Sequence, residues 1–260
     1  MASIELSGDG DVAVVTLSNP PLNLFQEGSF ADLGECLAEV ERSDARALVW
    51  RAEGELFTGG VDVNDFKKVA DAGPDRVGEF AEGLIEAVRR LEQLEIPTLA
   101  LVHGLCLTAG LEVALGCDVI WAAESARFGL VEAVVGLSPG AGGTQRMAER
   151  AGPGWAREFV MSGALYDAAT LERWNVVNRV LPDDELHTNG MRFAKRLASG
   201  PNRAHAATKR IVRAQLEGGT DAADRLTTRI FAGLFETEDL RNGIDSFLTE
   251  GPGKATFSGR

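Results

Sequence analysis

Short apolar runs alternate with stretches of helical periodicity along most of this 260-residue chain, and that alternation restricts the fold more than any other feature. Residues 47–51 and 98–103 read as buried strands, and residues 118–123 as the next strand. Between them Phe30, Leu33, Leu37 and Val40, and then Phe80, Leu84, Val88 and Leu91, recur at helical spacing. They predict helices over about 26–42 and 77–94. Strands separated repeatedly by helices imply an α/β layered fold. Residues 4–6 and 12–17 read as two further strands around a Gly8-Asp9-Gly10-Asp11 turn; a calcium loop there would need later ligands that are missing. Asn19-Pro20-Pro21-Leu22-Asn23 breaks the second strand. Short helices are expected over 62–70, 141–149, 155–161 and 168–174, and a last short strand over 176–181. Beyond residue 183 only helices are expected, over 185–198, 201–215, 222–235 and 238–248. The shift divides the chain into a core, residues 1–195, and a helical C-terminal region, residues 196–260.

The chemistry concentrates in residues 103–146. Two carboxylates, Glu112 and Glu132, stand among Leu, Val and Ala that belong in a core, and a buried carboxylate is rare without a task. Glu112 follows Thr108-Ala109-Gly110, which has the look of a helix mouth with free backbone N–H groups. Such an arrangement could bind an oxyanion and move a proton. The residues alone leave open a plainer reading, with Glu112 a helix N-terminal acid favoured by the dipole and Glu132 a solvated loop residue. Gly136-Leu137-Ser138-Pro139-Gly140 satisfies the G-x-S-x-G pattern of a serine-hydrolase elbow. That elbow needs the N–H of the residue after Ser, and Pro139 has none. The glycine turn at 140–143 is no phosphate loop, because the Lys-Ser/Thr pair is missing.

Composition removes other classes. A net charge of −13 argues against a general nucleic-acid binder. No apolar run approaches the roughly 20 residues of a membrane span. Cys36, Cys106 and Cys117 lack metal-ligand spacing and are expected as free thiols in a reducing, cytoplasmic setting. With only His103, His187 and His205 and no C-x-x-C or H-E-x-x-H, no metal site is expected.

Three motifs carry a resemblance to the crotonase family, also called the enoyl-CoA hydratase/isomerase family. Leu56-Phe57-Thr58-Gly59-Gly60-Val61-Asp62-Val63 resembles the family's F-x-x-G-x-D loop. Ala109-Gly110-Leu111-Glu112-Val113-Ala114-Leu115 is followed by Cys117-Asp118. Phe128-Gly129, Glu132 and the run Gly136-Leu137-Ser138-Pro139-Gly140-Ala141-Gly142-Gly143-Thr144-Gln145-Arg146 complete the match. The resemblance implies a crotonase-like spiral of repeated ββα units with a helical C-terminal region that packs against other subunits, in a trimer or dimer of trimers. It implies an acyl-CoA thioester substrate and no separate cofactor, coenzyme A being part of the substrate. It makes the backbone N–H groups of Val61 and Ala109 an oxyanion hole and places Gly59, Gly60, Asp62, Asn64 and Gly110 against the substrate.

The family assigns acid and base work to glutamates at the positions of Glu112 and Glu132. Glu112 is expected to deprotonate water and Glu132 to give the α-proton in hydration of a trans-2-enoyl-CoA. Like charges in one apolar site leave one group protonated and one ionised. The alternatives are a Δ3/Δ2 enoyl-CoA isomerase and a non-catalytic acyl-CoA-binding homologue. The chain departs from the family at Val61, at Thr108-Ala109 where Gly is usual, at Leu130-Val131 where Gln-Pro is usual, at His103 where Asn is common, and in its C-terminal tail. His103 is expected as a supporting residue. Lys67 and Lys68 are candidates for coenzyme A phosphates or a solvated face. The altered tail puts contacts from Lys254 or Phe257 to coenzyme A in doubt.

Overall fold

The computed structural model describes residues 3–26 and 28–259. Its main sheet has six strands in the order β1-β2-β3-β4-β6-β9. Strands β1 (Ser3–Asp9) and β2 (Val12–Ser18) form an antiparallel hairpin, with Asp9 opposite Val12. The Gly10-Asp11 turn accounts for the acidic run between them, Gly10 taking a φ of 63°. Parallel pairing then adds β3 (Ala47–Ala52), β4 (Thr98–Val102), β6 (Val119–Ala123) and β9 (Arg179–Leu181). The central strands are apolar almost throughout because helices or a second layer cover both faces.

Helix α1 (Ser29–Arg42) buries Phe30, Leu33, Leu37 and Val40, the stripe read from the sequence. It starts at Ser29 rather than near 26, and residue 27 lies outside the described residues. Helix α3 (Pro74–Gln93) begins three residues earlier than its apolar period, with Pro74 at the first turn where a missing N–H costs nothing. It buries Leu84, Val88 and Leu91. Helix α8 (Asp183–Ala198) lies across the sheet. A Cβ on Gly190 would stand 2.4 Å from Leu101, so glycine allows α8 its close approach to β4.

The second layer is made of pieces too short to show a period. Strands β5 (Leu105–Leu107), β7 (Arg127–Gly129) and β8 (Tyr166–Asp167) form a three-stranded sheet. Isolated bridges extend it: Thr58 pairs with Cys106, and Phe25 with Val61. Each long strand of the middle of the chain is thus followed by a short inner segment and then by a helix. The inner segment 57–61 leads to α2 (Val63–Asp71), β5 leads to α4 (Thr108–Leu115), and β7 leads to a 3₁₀ turn (Glu132–Val135). This is the strand–strand–helix repeat of the expected spiral.

Helices α5 (Gly143–Ala151), α6 (Pro153–Ser162) and α7 (Ala168–Arg173) complete the core. The C-terminal region is helical, with α9 (Asn202–Leu234) and α10 (Glu238–Glu250). The two helices expected over 201–215 and 222–235 run together as α9, broken at Gly219 where φ is 71°. Residue 195, the expected division, falls inside α8.

Candidate active site

Two backbone segments meet where the inner layer gives way to helices. Phe57 N donates to His103 O at 3.1 Å, Thr58 N to Leu105 O at 2.8 Å, and Leu107 N to Thr58 O at 3.1 Å. On the other side of the same segment, Phe25 N donates to Gly60 O and Asp62 N to Phe25 O, both at 2.8 Å. Backbone groups alternate in direction along an extended segment, so the N–H of Val61 faces the side of β5 and α4. Ala109 is the second residue of α4, where an N–H has no partner within its own helix. The two expected oxyanion donors therefore belong to segments laced together at their bases.

Glycines make that lacing possible. A Cβ on Gly60 would stand 2.1 Å from Thr108 Oγ1, and Gly60 has a φ of 99°. One on Gly110 would stand 1.9 Å from Thr58 Cγ2, and one on Gly59 3.1 Å from Leu24. Gly60 and Gly110 thus serve first to let the two segments touch, and Gly59 lets the first pass close to Leu24. Thr108 carries the cost of its departure from glycine: φ is 44°, unusual for a β-branched residue, and its buried hydroxyl has no partner among the described residues.

Glu112 stands one turn into α4 and is 2% exposed. Its Oε1 accepts from Ala141 N at 2.9 Å and Gly143 N at 2.8 Å. Gly143 must be glycine, since a Cβ there would lie 2.8 Å from Glu112 Cγ and 3.0 Å from its Oε1. Burial pushes the Glu112 carboxyl up from 4.5 to about 7; the two N–H donors and Arg146 oppose the rise, and the Glu132 charge adds to it. Fully buried Leu130 packs beside this group, so one residue of the Leu130-Val131 departure supplies an apolar wall. Glu132 opens the 3₁₀ turn that follows β7. It is half-buried, its Oε2 is buried with no partner among the described residues, and burial raises its carboxyl too. The dipole-stabilised acid and the solvated loop residue of the plainer reading are not what the structure contains.

Other candidates have other partners. Asp62 caps α2, its Oδ1 accepting from Asn64 N at 2.8 Å and Asn64 Nδ2 at 3.0 Å, so these two residues engage each other. Lys67 pairs with Asp71 and Lys68 with Asp65 on an exposed face. His103 Nε2 meets Gly54 O at 3.0 Å and its ring lies edge-on to Phe57, at the root of the 57–61 segment. The tail folds back on α10, where buried Asp239 accepts from Ser258 N at 2.7 Å and Gly259 N at 3.0 Å. Phe257 packs there, and Lys254 is exposed. Ser138 is exposed, while His103 and His187 bond elsewhere, to Gly54 and Arg51, in keeping with rejection of the hydrolase elbow. No cluster of metal-ligating side chains occurs among the described residues. A cavity of about 610 Å³ near Cys117, Asp118 and Lys209 is lined by neither glutamate.

Three supporting residues escaped the sequence reading. Buried Asn23 donates to Glu53 O at 2.6 Å and Leu56 O at 2.9 Å, tying the Pro20-Pro21 turn to the oxyanion loop. Buried Thr58 donates to Asn23 O and accepts from Gly60 N. Arg146 backs the turn that holds Glu112. Asn23 had one signal, a polar residue closing a Pro-Pro turn; Thr58 and Arg146 stood inside the family motifs, but nothing in linear spacing gave them their partners.

The structure thus carries two buried or half-buried carboxylates on a strand–strand–helix spiral, with the expected amide donors on segments that are hydrogen-bonded to each other. The profile of the enoyl-CoA hydratase/isomerase family matches residues 7–259, and the chain belongs to that family, the crotonases. It is 29% identical to a short-chain-enoyl-CoA hydratase of Clostridium acetobutylicum over 95% of this chain and 94% of that one. It is 30% identical to a 2,3-dehydroadipyl-CoA hydratase of Escherichia coli, over 95% and 96%. Among solved structures, an enoyl-CoA hydratase subunit of Geobacillus kaustophilus superposes with a TM-score of 0.91 at 32% identity, covering 99% of this chain and 98% of that one.

Proposed function

We propose that the protein is an enoyl-CoA hydratase, which adds water reversibly to a trans-2-enoyl-CoA to give a 3-hydroxyacyl-CoA. The observation that carries the reading is the pair of carboxylates, Glu112 buried and Glu132 half-buried, both raised by burial, with the Glu132 charge acting on Glu112. Relatives named as hydratases over nearly the full chain support it. The thioester oxygen is held by the N–H groups of Val61 and Ala109. Water oxygen bonds to the β-carbon while Glu112, ionised, takes one of its protons. The π electrons move onto the thioester oxygen as an enolate, which two N–H donors stabilise far more than the neutral carbonyl. The enolate collapses as Glu132, protonated, gives its proton to the α-carbon. The proton on Glu112 then returns to Glu132, so water alone is consumed. Repulsion between the carboxylates favours one proton shared by the pair; burial raises Glu112 the more, so hydration starts from the form in which that proton has passed to Glu132.

On this reading coenzyme A enters as part of the substrate and no further cofactor takes part. The exposed apolar residues of α9 and α10 support association between chains, which the family resemblance makes a trimer or dimer of trimers. The free thiols Cys36, Cys106 and Cys117 support a reducing, cytoplasmic location. The test is hydration of crotonyl-CoA, followed as loss of enoyl-thioester absorbance. Glu112→Gln and Glu132→Gln are each expected to bind acyl-CoA yet lose at least about 10²-fold in rate. Near-normal turnover by either variant would remove its assigned role. An inert parent that instead gains conjugated absorbance from a 3-enoyl-CoA would move the protein to the isomerases.

A further inference from the structure

The turn that grips Glu112 is itself gripped from behind. Ala141 and Gly143 point their N–H groups at Glu112. On the reverse side, Arg146 Nη1 donates to Ala141 O and Gly142 O, each at 3.2 Å. A trans peptide holds its carbonyl and its N–H on opposite sides. The peptide between Gly142 and Gly143 therefore stands between the two charges, its oxygen on the guanidinium and its N–H on the carboxylate. Gly142, at a φ of 96°, leaves the space: a Cβ there would lie 1.9 Å from Arg146 Nη1.

The guanidinium is anchored in turn. Its Nε and Nη2 donate to the two oxygens of Glu92 on α3, at 2.8 and 2.6 Å. Arg146 is 7% exposed and Glu92 half-buried, so neither solvent nor salt screens the pair strongly. A fork held at both oxygens fixes orientation as well as position. The route runs from α3 through Glu92, Arg146 and one peptide dipole to the carboxylate on α4. Besides these groups, Glu132 faces Glu112 from the 3₁₀ turn, and Glu149 lies with Glu92 around the arginine.

We propose that Arg146, anchored by Glu92, is a positioning residue that holds the 141–143 turn against Glu112 and keeps that carboxylate in its ionised, water-accepting form. The proposal rests on the assignment of Glu112 as the base. Its signs are definite. Loss of the guanidinium removes attraction and leaves burial and the Glu132 charge, so Glu112 holds its proton to higher pH. Loss of the Glu92 charge leaves the guanidinium uncompensated, so Glu112 ionises at lower pH. A residue serving stability alone would lower the rate at every pH, or move both variants the same way.

The experiment measures kcat/KM for crotonyl-CoA against pH in the parent, Arg146→Met, Arg146→Lys and Glu92→Gln. Arg146→Met is expected to move the acid limb up by about one pH unit, the usual scale for a lost charge partner, and so to lose about tenfold at low pH. Arg146→Lys, the milder change, moves it less in the same direction and serves if the methionine variant does not fold. Glu92→Gln moves it down. In parallel, infrared difference spectra against a Glu112→Gln partner of each variant follow the Glu112 carboxyl directly. Opposite shifts in the infrared midpoint uphold the proposal even if the parent hydrates nothing, in which case only the hydratase reading falls. An active parent with unmoved midpoints, or midpoints moved in one direction by both changes, overturns the proposal and leaves the hydratase reading standing.

Discussion

At the scale of single residues, the site keeps a carboxylate where water is scarce, and that has a cost measurable without substrate. Glu112 titrates near 7 in the folded protein against 4.5 as its ordinary value, chiefly because burial disfavours the charge. A raised carboxyl favours folding while it is protonated. Its contribution is whole below the ordinary value, falls as pH rises, and reaches its least favourable level above about 7. Across that window the penalty amounts to about 3 kcal/mol. Glu112→Gln keeps an acceptor for Ala141 and Gly143 and carries no charge. Its stability relative to the parent is expected to grow as pH is raised from 4.5 to 7 and then level off, read by urea unfolding at a series of pH values. A pH-independent difference would contradict the burial of the charge. Both glutamates were legible in the sequence as carboxylates set in apolar runs. The pairing of Glu92 with Arg146 was not: the two lie far apart in the chain, Glu92 looks like an ordinary helix-surface residue, and Arg146 only closes a family motif.

At the scale of elements, the proposed site residues sit at the ends of the inner segments: Val61 closing the 57–61 segment, Ala109 and Glu112 after β5, and Glu132 after β7. The long strands and amphipathic helices were legible from their periods. The inner strands β5, β7 and β8 have two or three residues each, too few for any pattern to accumulate. They exist because backbone groups that leave the main sheet must find partners, and neighbouring turns of the spiral supply them. The proposed oxyanion donors, being backbone groups, depend on that lacing more than on any side chain. Gly60→Ala is accordingly expected to cost 10²-fold or more in hydration rate, on the scale of a lost oxyanion donor. The added Cβ meets Thr108 and forces a residue with a side chain into a left-handed conformation. Rates for Gly60→Ala and a mild control such as Gly78→Ala, whose Cβ meets nothing within 4 Å, would separate the effect from glycine loss in general. Equal rates for the two would refute the role of close approach.

At the scale of the molecule, the C-terminal helices leave several large apolar side chains exposed. Phe231, Phe235 and Phe247 are 59%, 57% and 60% exposed, and the first two stack edge to face at 5.2 Å. Patches of this kind mark association surfaces. Light scattering is expected to give a mass at a multiple of the 27.7 kDa chain, three or six copies, and Phe231→Asp with Phe235→Asp to reduce it. A parent running as a single chain would sink the trimer reading. The negative charge of the chain acts at this scale too, keeping the molecules dispersed rather than shaping the fold.

Local patterns in the sequence determined the alternation of strands and helices, the helical C-terminal region, the two carboxylates and the family motifs that surround them. These follow from periodicity and from motif order, both of which a linear chain carries. Tertiary structure alone decided that segment 57–61 runs beside β5, that Gly60 and Gly110 are spacers between backbone segments before they are anything to a substrate, and that Arg146 and Glu92 stand behind the turn on Glu112. Hydrogen bonds and charges act over a few ångströms of space, whatever number of residues separates them, so their partners appear only once the spiral has closed.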